Sequence, residues 1–130
     1  MELLLDTHVF LWFINDDSRL PLAWRKIIQE PANDVYLSVV SLWESIIKYQ
    51  LGKLPLPASP EIYLPKQRER HKIASLPLNE ASVSYLAQLP NLHRDPFDRI
   101  LVCQALQRDL TLVTVDAKVV AYPVKVLKTG

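Results

Sequence analysis

The 130-residue chain has one cysteine, two glycines and no excess of either charge. A lone Cys103 excludes an internal disulfide framework and any cysteine-based zinc cluster. Fifteen Lys and Arg against fourteen Asp and Glu leave a net charge of +1. Any contact with nucleic acid therefore has to come from local clustering, not from the field of the whole chain. No apolar run approaches the ~20 residues that a membrane span requires. Leu3-Leu4-Leu5 after Met1-Glu2 is too short, and wrongly flanked, for a secretory signal. The expectation is a cytoplasmic protein with no membrane contact. There is no internal repeat and no low-complexity tract.

What is present is ordinary for a soluble globular protein: 49% hydrophobic and 22% charged residues. A chain of this length makes one domain, residues 1–130. Leu3-Leu4-Leu5 reads as a strand buried on both faces, ending in Asp6. Asp6-Thr7 offers a cap for a helix through Ile14, and Pro21 opens a second helix carrying Trp24, Ile27 and Ile28. Val35-Tyr36-Leu37 is a second strand. Ser38 or Ser41 caps a helix to about Gln50, with Gly52 at its end. Four of the ten prolines lie from Pro55 to Pro65 and mark a stiff connection. A helix through Lys66–Lys72 follows, then Ile73-Ala74-Ser75 as a strand and a helix from Glu80 to Leu89. Asp95-Pro96 starts a helix to about Arg108, Leu112–Val115 is a strand ending in Asp116, and Val124–Leu127 is an edge strand. Short apolar strands alternating with helices predict an α/β domain with a mostly parallel central sheet. Ligands of such sheets gather at the carboxyl ends of the strands.

Two of these strands end in aspartate, Asp6 and Asp116. As parallel neighbours they would project both carboxylates from one sheet edge, although each alone reads equally as a cap or turn residue. Asp98 stands on the apolar stripe of its helix, between Val102 and Ala105, with Arg99, Gln104, Gln107 and Arg108 on the remaining surface. An acid in that position has to be paired, hydrogen-bonded or metal-bound. Glu44 is balanced between a surface pair with Lys48 and a place in the site. Converging carboxylates without a histidine or cysteine pattern select a hard cation, Mg²⁺ or Mn²⁺, and with it phosphoryl transfer or phosphodiester hydrolysis.

Leu5-Asp6-Thr7-His8 with Leu11-Trp12, Ser41-Leu42-Trp43-Glu44, His93-Arg94-Asp95-Pro96-Phe97-Asp98-Arg99 and Val113-Thr114-Val115-Asp116 resemble, in order and spacing, the signatures of PIN-domain proteins. The likeness is to the VapC toxins of toxin–antitoxin pairs and covers essentially the whole chain. It implies a single PIN-like domain and a Mg²⁺- or Mn²⁺-dependent endoribonuclease. Such a hydrolase is usually a homodimer, held inactive by a cognate antitoxin protein. The family's acidic site falls on Asp6, Glu44, Asp98 and Asp116 as catalytic and metal-holding residues, with Asp95 auxiliary. Thr114 matches a small hydroxyl residue that supports the ligands by hydrogen bonding. His93, Arg94 and Arg99 are candidate RNA-phosphate contacts, and His8 is peripheral. The products implied are a 5′-phosphate and a 3′-hydroxyl.

Elsewhere, Cys103 reads as a core residue and Trp12, Trp24 and Trp43 as core or interface. Leu11-Trp12-Phe13 is either core or part of a groove for an antitoxin segment. The Lys66–Lys72 cluster is a candidate for steering RNA. An aspartate-nucleophile phosphatase would need a second aspartate where His8 stands. The alternative function is a non-catalytic PIN-like module that binds RNA or protein.

Overall fold

Leu3, Leu4 and Leu5 have no exposure to solvent in the computed structural model, which describes residues 1–128. They form strand β1 (Glu2–Leu5), an inner strand of a four-stranded sheet. The elements then run α1 (Thr7–Ile14), α2 (Leu22–Gln29), β2 (Asp34–Ser38), α3 (Val39–Gln50), α4 (Pro60–Arg70) and β3 (Ala74–Leu76). Next come α5 (Glu80–Ser84), a 3-10 turn (Tyr85–Ala87), α6 (Pro96–Arg108), β4 (Thr111–Val113) and α7 (Ala117–Val120). The sheet order is β3-β2-β1-β4, and every pairing is parallel. Side chains alternate across a strand, so Leu3 and Leu5 enter one core with Phe10, Trp24, Ile28 and Leu64. Leu4 enters a second core, on the other face, with Leu76, Leu101, Val102, Cys103 and Leu112. The predicted α/β architecture is the one found.

Several local expectations need correction. Pro65 lies inside α4 and not in a connection: Pro60 takes the first helical turn, and Pro65 merely leaves the chain one donor short. The helix expected through Leu89 ends at Ser84, where the Ser84 hydroxyl bonds back to the Glu80 carbonyl at 2.9 Å and the chain tightens into the 3-10 turn. Strand β4 stops at Val113, whose carbonyl accepts the last inter-strand bond, from Asp6 N at 2.9 Å. Val124–Leu127 is no full strand. It makes one parallel bridge, Leu112 to Val126, because a three-residue β4 offers it little to pair with. Gln104 is buried and not on the surface: it accepts from the Ser38 hydroxyl and donates to the Pro77 carbonyl at 3.3 Å. Leu11 and Phe13 are core residues and Trp24 is buried, while Trp43 is 55% exposed, with its ring edge-on to Phe97.

Poverty in glycine shows at the helix ends. The end of α3 uses Gly52 at φ 71, with Lys53 N bonded to the Lys48 carbonyl at 2.8 Å and Gly52 N to the Tyr49 carbonyl at 3.0 Å. At the end of α4 the same pattern places Lys72 in the left-handed region, at φ 58, with Ile73 N bonded to the Arg68 carbonyl. A side chain there clashes with its own backbone and costs about 1–2 kcal/mol, part of which glycine gives back through its looser unfolded state. Lys72→Gly is therefore expected to raise stability by about 0.5–1 kcal/mol, read as a higher urea midpoint with an unchanged slope.

Candidate active site

Parallel strands bring all their carboxyl ends to one edge, and the order β3-β2-β1-β4 reverses the direction of sheet growth between β1 and β4. Asp6 and Asp116 leave these two strands, which are in register at Leu5 and Val113. They therefore flank the crevice where open α/β sheets take ligands.

Asp6 sits at the cap position of α1 but its side chain caps nothing. Oδ2 accepts from the Thr114 hydroxyl at 2.7 Å, while Oδ1 is buried without a hydrogen-bond partner. Burial pushes this carboxyl up from 3.8, against the pull of Thr114 and His8, and Glu44 adds to the rise. Thr114 also accepts from Asp116 N at 3.1 Å, so one hydroxyl ties the two strand ends together. Asp116 in turn caps α7 through Lys118 N at 2.9 Å.

The third aspartate comes from α6. Asp95 caps this helix, accepting from Phe97 N at 2.9 Å and Asp98 N at 3.3 Å, and Pro96 fixes the first turn. Asp98 is thereby aimed at the crevice. Its carboxyl is pushed up to about 7, chiefly by burial and then by Asp6, Asp95 and Glu44, with His93 pulling the other way. A helix N-terminus favours an anion by only about 0.3–1 kcal/mol, too little to outweigh this crowding.

His93 closes the group. Its Nδ1 accepts from Asp95 N at 3.2 Å, which assigns the proton of a neutral ring to Nε2. Nε2 lies 3.0 Å from Asp98 Oδ2 and 3.2 Å from Asp116 Oδ2. The loop is fixed by the Tyr122 hydroxyl, which accepts from Leu92 N at 3.2 Å and His93 N at 2.9 Å.

Glu44 does pair with Lys48, at 2.6 Å, but the pair is not a surface one: Glu44 is 2% exposed. Its Oε1 accepts from the Thr7 hydroxyl at 2.8 Å, and Thr7 also contacts the Ser41 hydroxyl at 2.8 Å. Among the described residues, ligand atoms of His93, Asp98 and Asp116 lie within 4.8 Å of one another. Asp6, Glu44 and Asp95 surround that group without joining it. Arg94 is exposed, and Arg99 turns to Asn91 Oδ1 at 3.2 Å with its Nε buried and unpartnered. Arg70, His71 and Lys72 line a cavity with Asn33 and Val35, at the opposite, amino edge of the sheet from the acids. The sequence reading missed Thr7 and Ser41 as supports of Glu44, although Ser41 precedes it by one helical turn. It also missed Tyr122, for which the sequence carried no signal.

Residues 3–125 match the sequence profile of the PIN domain. The chain belongs to the PIN-domain family. A relative named ribonuclease VapC16, from Mycobacterium tuberculosis, is 36% identical over 61 residues, 47% of this chain and 43% of the relative, so the match spans less than half of that protein. Similar folds are seen in VapBC2 from Rickettsia felis, solved bound to a DNA fragment from their promoter, at a TM-score of 0.74 and 18% identity over 98% of each chain. FitAcB from Neisseria gonorrhoeae gives 0.63 and 22% identity over 97% of this chain and 96% of the other. No helix of the described residues is long and apolar enough to cross a membrane.

In this PIN domain the crowded acids link stability to pH. Asp98 titrates near 7 in the fold, against 3.8 as its ordinary value. The stability that its protonation contributes is complete below the unfolded value and is lost as pH rises through about 7. The metal-free protein is expected to be more stable at pH 5 than at pH 8 in urea titrations with EDTA. Asp98→Asn should flatten this dependence and stabilise the protein at pH 8 by about 1–2 kcal/mol, discounted for the group's partial solvation.

Proposed function

We propose that this PIN domain is a divalent-cation-dependent endoribonuclease acting in the cytoplasm, and that it is the toxin of a toxin–antitoxin pair. The observation that carries the reading is the convergence of Asp98, Asp116 and His93 within 4.8 Å, beside a buried Asp6 oxygen with no donor. An acceptor stripped of water and left unpaired is costly, and a cation satisfies it. The set offers mainly carboxylate oxygen, which fits Mg²⁺ or Mn²⁺. When bound, such an ion lowers the pKa of water and offsets charge on a phosphate.

Asp6, Asp98 and Asp116 would hold the ion. Thr114 keeps Asp6 Oδ2 occupied, while Oδ1 is buried and has no hydrogen-bond partner. Asp95 sets the first turn of α6, and with it the direction of Asp98. Nε2 of His93 donates where the carboxylates converge, and with an ion in its place the ring, with Arg94, would be free for a substrate phosphate. Arg99, turned to Asn91, is a phosphate contact only after leaving that partner. Attack by water, in which the 2′-hydroxyl has no part, forms no 2′,3′-cyclic phosphate, and the family resemblance implies that the O3′–P bond breaks, leaving a 5′-phosphate and a 3′-hydroxyl. The name of the VapC16 relative supports the ribonuclease reading. A cognate antitoxin and a homodimeric state are part of the same proposal, as the family resemblance implies.

The test is cleavage of a mixed RNA pool by purified protein in Mg²⁺, Mn²⁺ or EDTA. Cutting is expected in either metal and none in EDTA, with Asp6→Asn, Asp98→Asn and Asp116→Asn each at least about 100-fold slower. Cutting that persists in EDTA would sink the proposal. Because Asp98 has to lose its proton to hold the ion, Mn²⁺ affinity measured by calorimetry should rise about tenfold per pH unit below 7 and level off above.

A further inference from the structure

Of the site acids, Glu44 is the most deeply buried, at 2% exposure. Its two oxygens are engaged, by the Thr7 hydroxyl at 2.8 Å and by Lys48 Nζ at 2.6 Å, whereas Asp6 keeps an oxygen open. The pair is also a poor stabiliser for its place. Taking two charges out of water costs several kcal/mol per ion, and apolar residues of similar size are often as stable or more so. The charge therefore needs a use other than packing.

Lys48 is the partner that reaches solvent, at 35% exposure. Its ammonium has three donors, of which Glu44 engages one. Burial pulls its pKa down, but Glu44, and after it Asp95 and Asp98, outweigh this and hold the group charged. Asp98, one of the acids that would hold a cation, thus also acts on Lys48. A phosphodiester approaching this edge meets five carboxylates, Asp6, Glu44, Asp95, Asp98 and Asp116. The cation fixed among them by a short ion pair is Lys48; Arg94 is exposed and Arg99 is turned away.

We propose that Lys48 donates to a non-bridging oxygen of the phosphate under attack, and that Glu44 is the residue that positions it, not a direct ligand of the cation. This rests on the ribonuclease reading above. Lys48 acts by charge and hydrogen bonding, as a preorganised donor to a phosphate whose negative charge grows in the transition state. No proton leaves it.

The experiment compares Lys48→Met, Lys48→Arg, Glu44→Gln and the double variant Glu44→Gln/Lys48→Met with the wild type. The double variant removes both charges, so a folding defect caused only by an orphaned Glu44 is absent from it. Mn²⁺ affinity, read by calorimetry, should change by less than about threefold in Lys48→Met and in the double variant, while kcat for RNA cleavage falls about 100- to 1000-fold. Lys48→Arg should recover at least a tenth of the rate. Glu44→Gln should slow cleavage while still binding Mn²⁺, unlike Asp98→Asn. Loss of Mn²⁺ binding in Glu44→Gln as complete as in Asp98→Asn would overturn the assignment of Glu44. Wild-type rates in Lys48→Met would overturn that of Lys48. A binding arm is independent of cleavage: in an Asp98→Asn background, Lys48→Met should weaken binding of a fluorescent mixed-sequence RNA by about tenfold. Unchanged binding there overturns the phosphate contact. A wild type that cuts no RNA overturns the ribonuclease reading instead.

Discussion

Repulsion among carboxylates held away from water is the constraint to which the geometry of the site answers. Five acids meet at one sheet edge, and the parallel topology leaves the two strand-end aspartates nowhere else to go. In a medium of reduced dielectric constant their mutual repulsion is several times what it would be in water. The free protein meets this cost in three ways. Asp98 holds a proton up to about pH 7, the hydroxyls of Thr114 and Thr7 donate to Asp6 and Glu44, and Lys48 and His93 bring donors among the acids. Each device is removable or local.

His93 shows how closely one of these donors is held. Its ring is oriented from one side by Asp95 N and its backbone from another by Tyr122. Asp95 therefore acts twice: its side chain caps α6 and points Asp98, while its amide sets the tautomer of His93. One residue couples the helix that supplies an acid to the ring that bridges it. A residue read as a cap thus touches the tight group twice, through its amide on His93 and through its carboxylate on the Asp98 amide.

How much of this was legible in the sequence depended on range. The strand at Leu3–Leu5, the Asp95-Pro96 helix start and the inward face of Asp98 follow from local chemistry, and the structure has all three. That Asp6 and Asp116 share an edge followed once the sheet was taken as parallel. Glu44 was not decidable, because i,i+4 spacing to Lys48 describes the same pair whether it is on the surface or buried; only the packing of Thr7 and Ser41 over it separates the two. Gln104 went astray for a related reason. A polar residue with long-range partners, here Ser38 and Pro77, gives no sign of them in its own helix. Tyr122 lies 29 residues from the amide it anchors, beyond any periodicity.

The distribution of positive charge completes the picture. The densest cationic run ends at Arg70, His71 and Lys72, where α4 hands the chain to the start of β3 at the amino edge of the sheet. Strands of three to five residues rise about 3.3 Å per residue, and β3 lies two strands away from β1, so this end of the run stands at least roughly 10 Å from the strand-end acids, beyond a Debye length of about 8 Å at physiological salt. It is too far away to offset the repulsion among the acids. Within the acidic group the cation that the chain itself supplies is Lys48, paired with Glu44 at 2.6 Å. The fold thus holds its densest run of positive charge apart from its densest group of acids, and a cluster that dominates the sequence by charge count is secondary at the acidic edge.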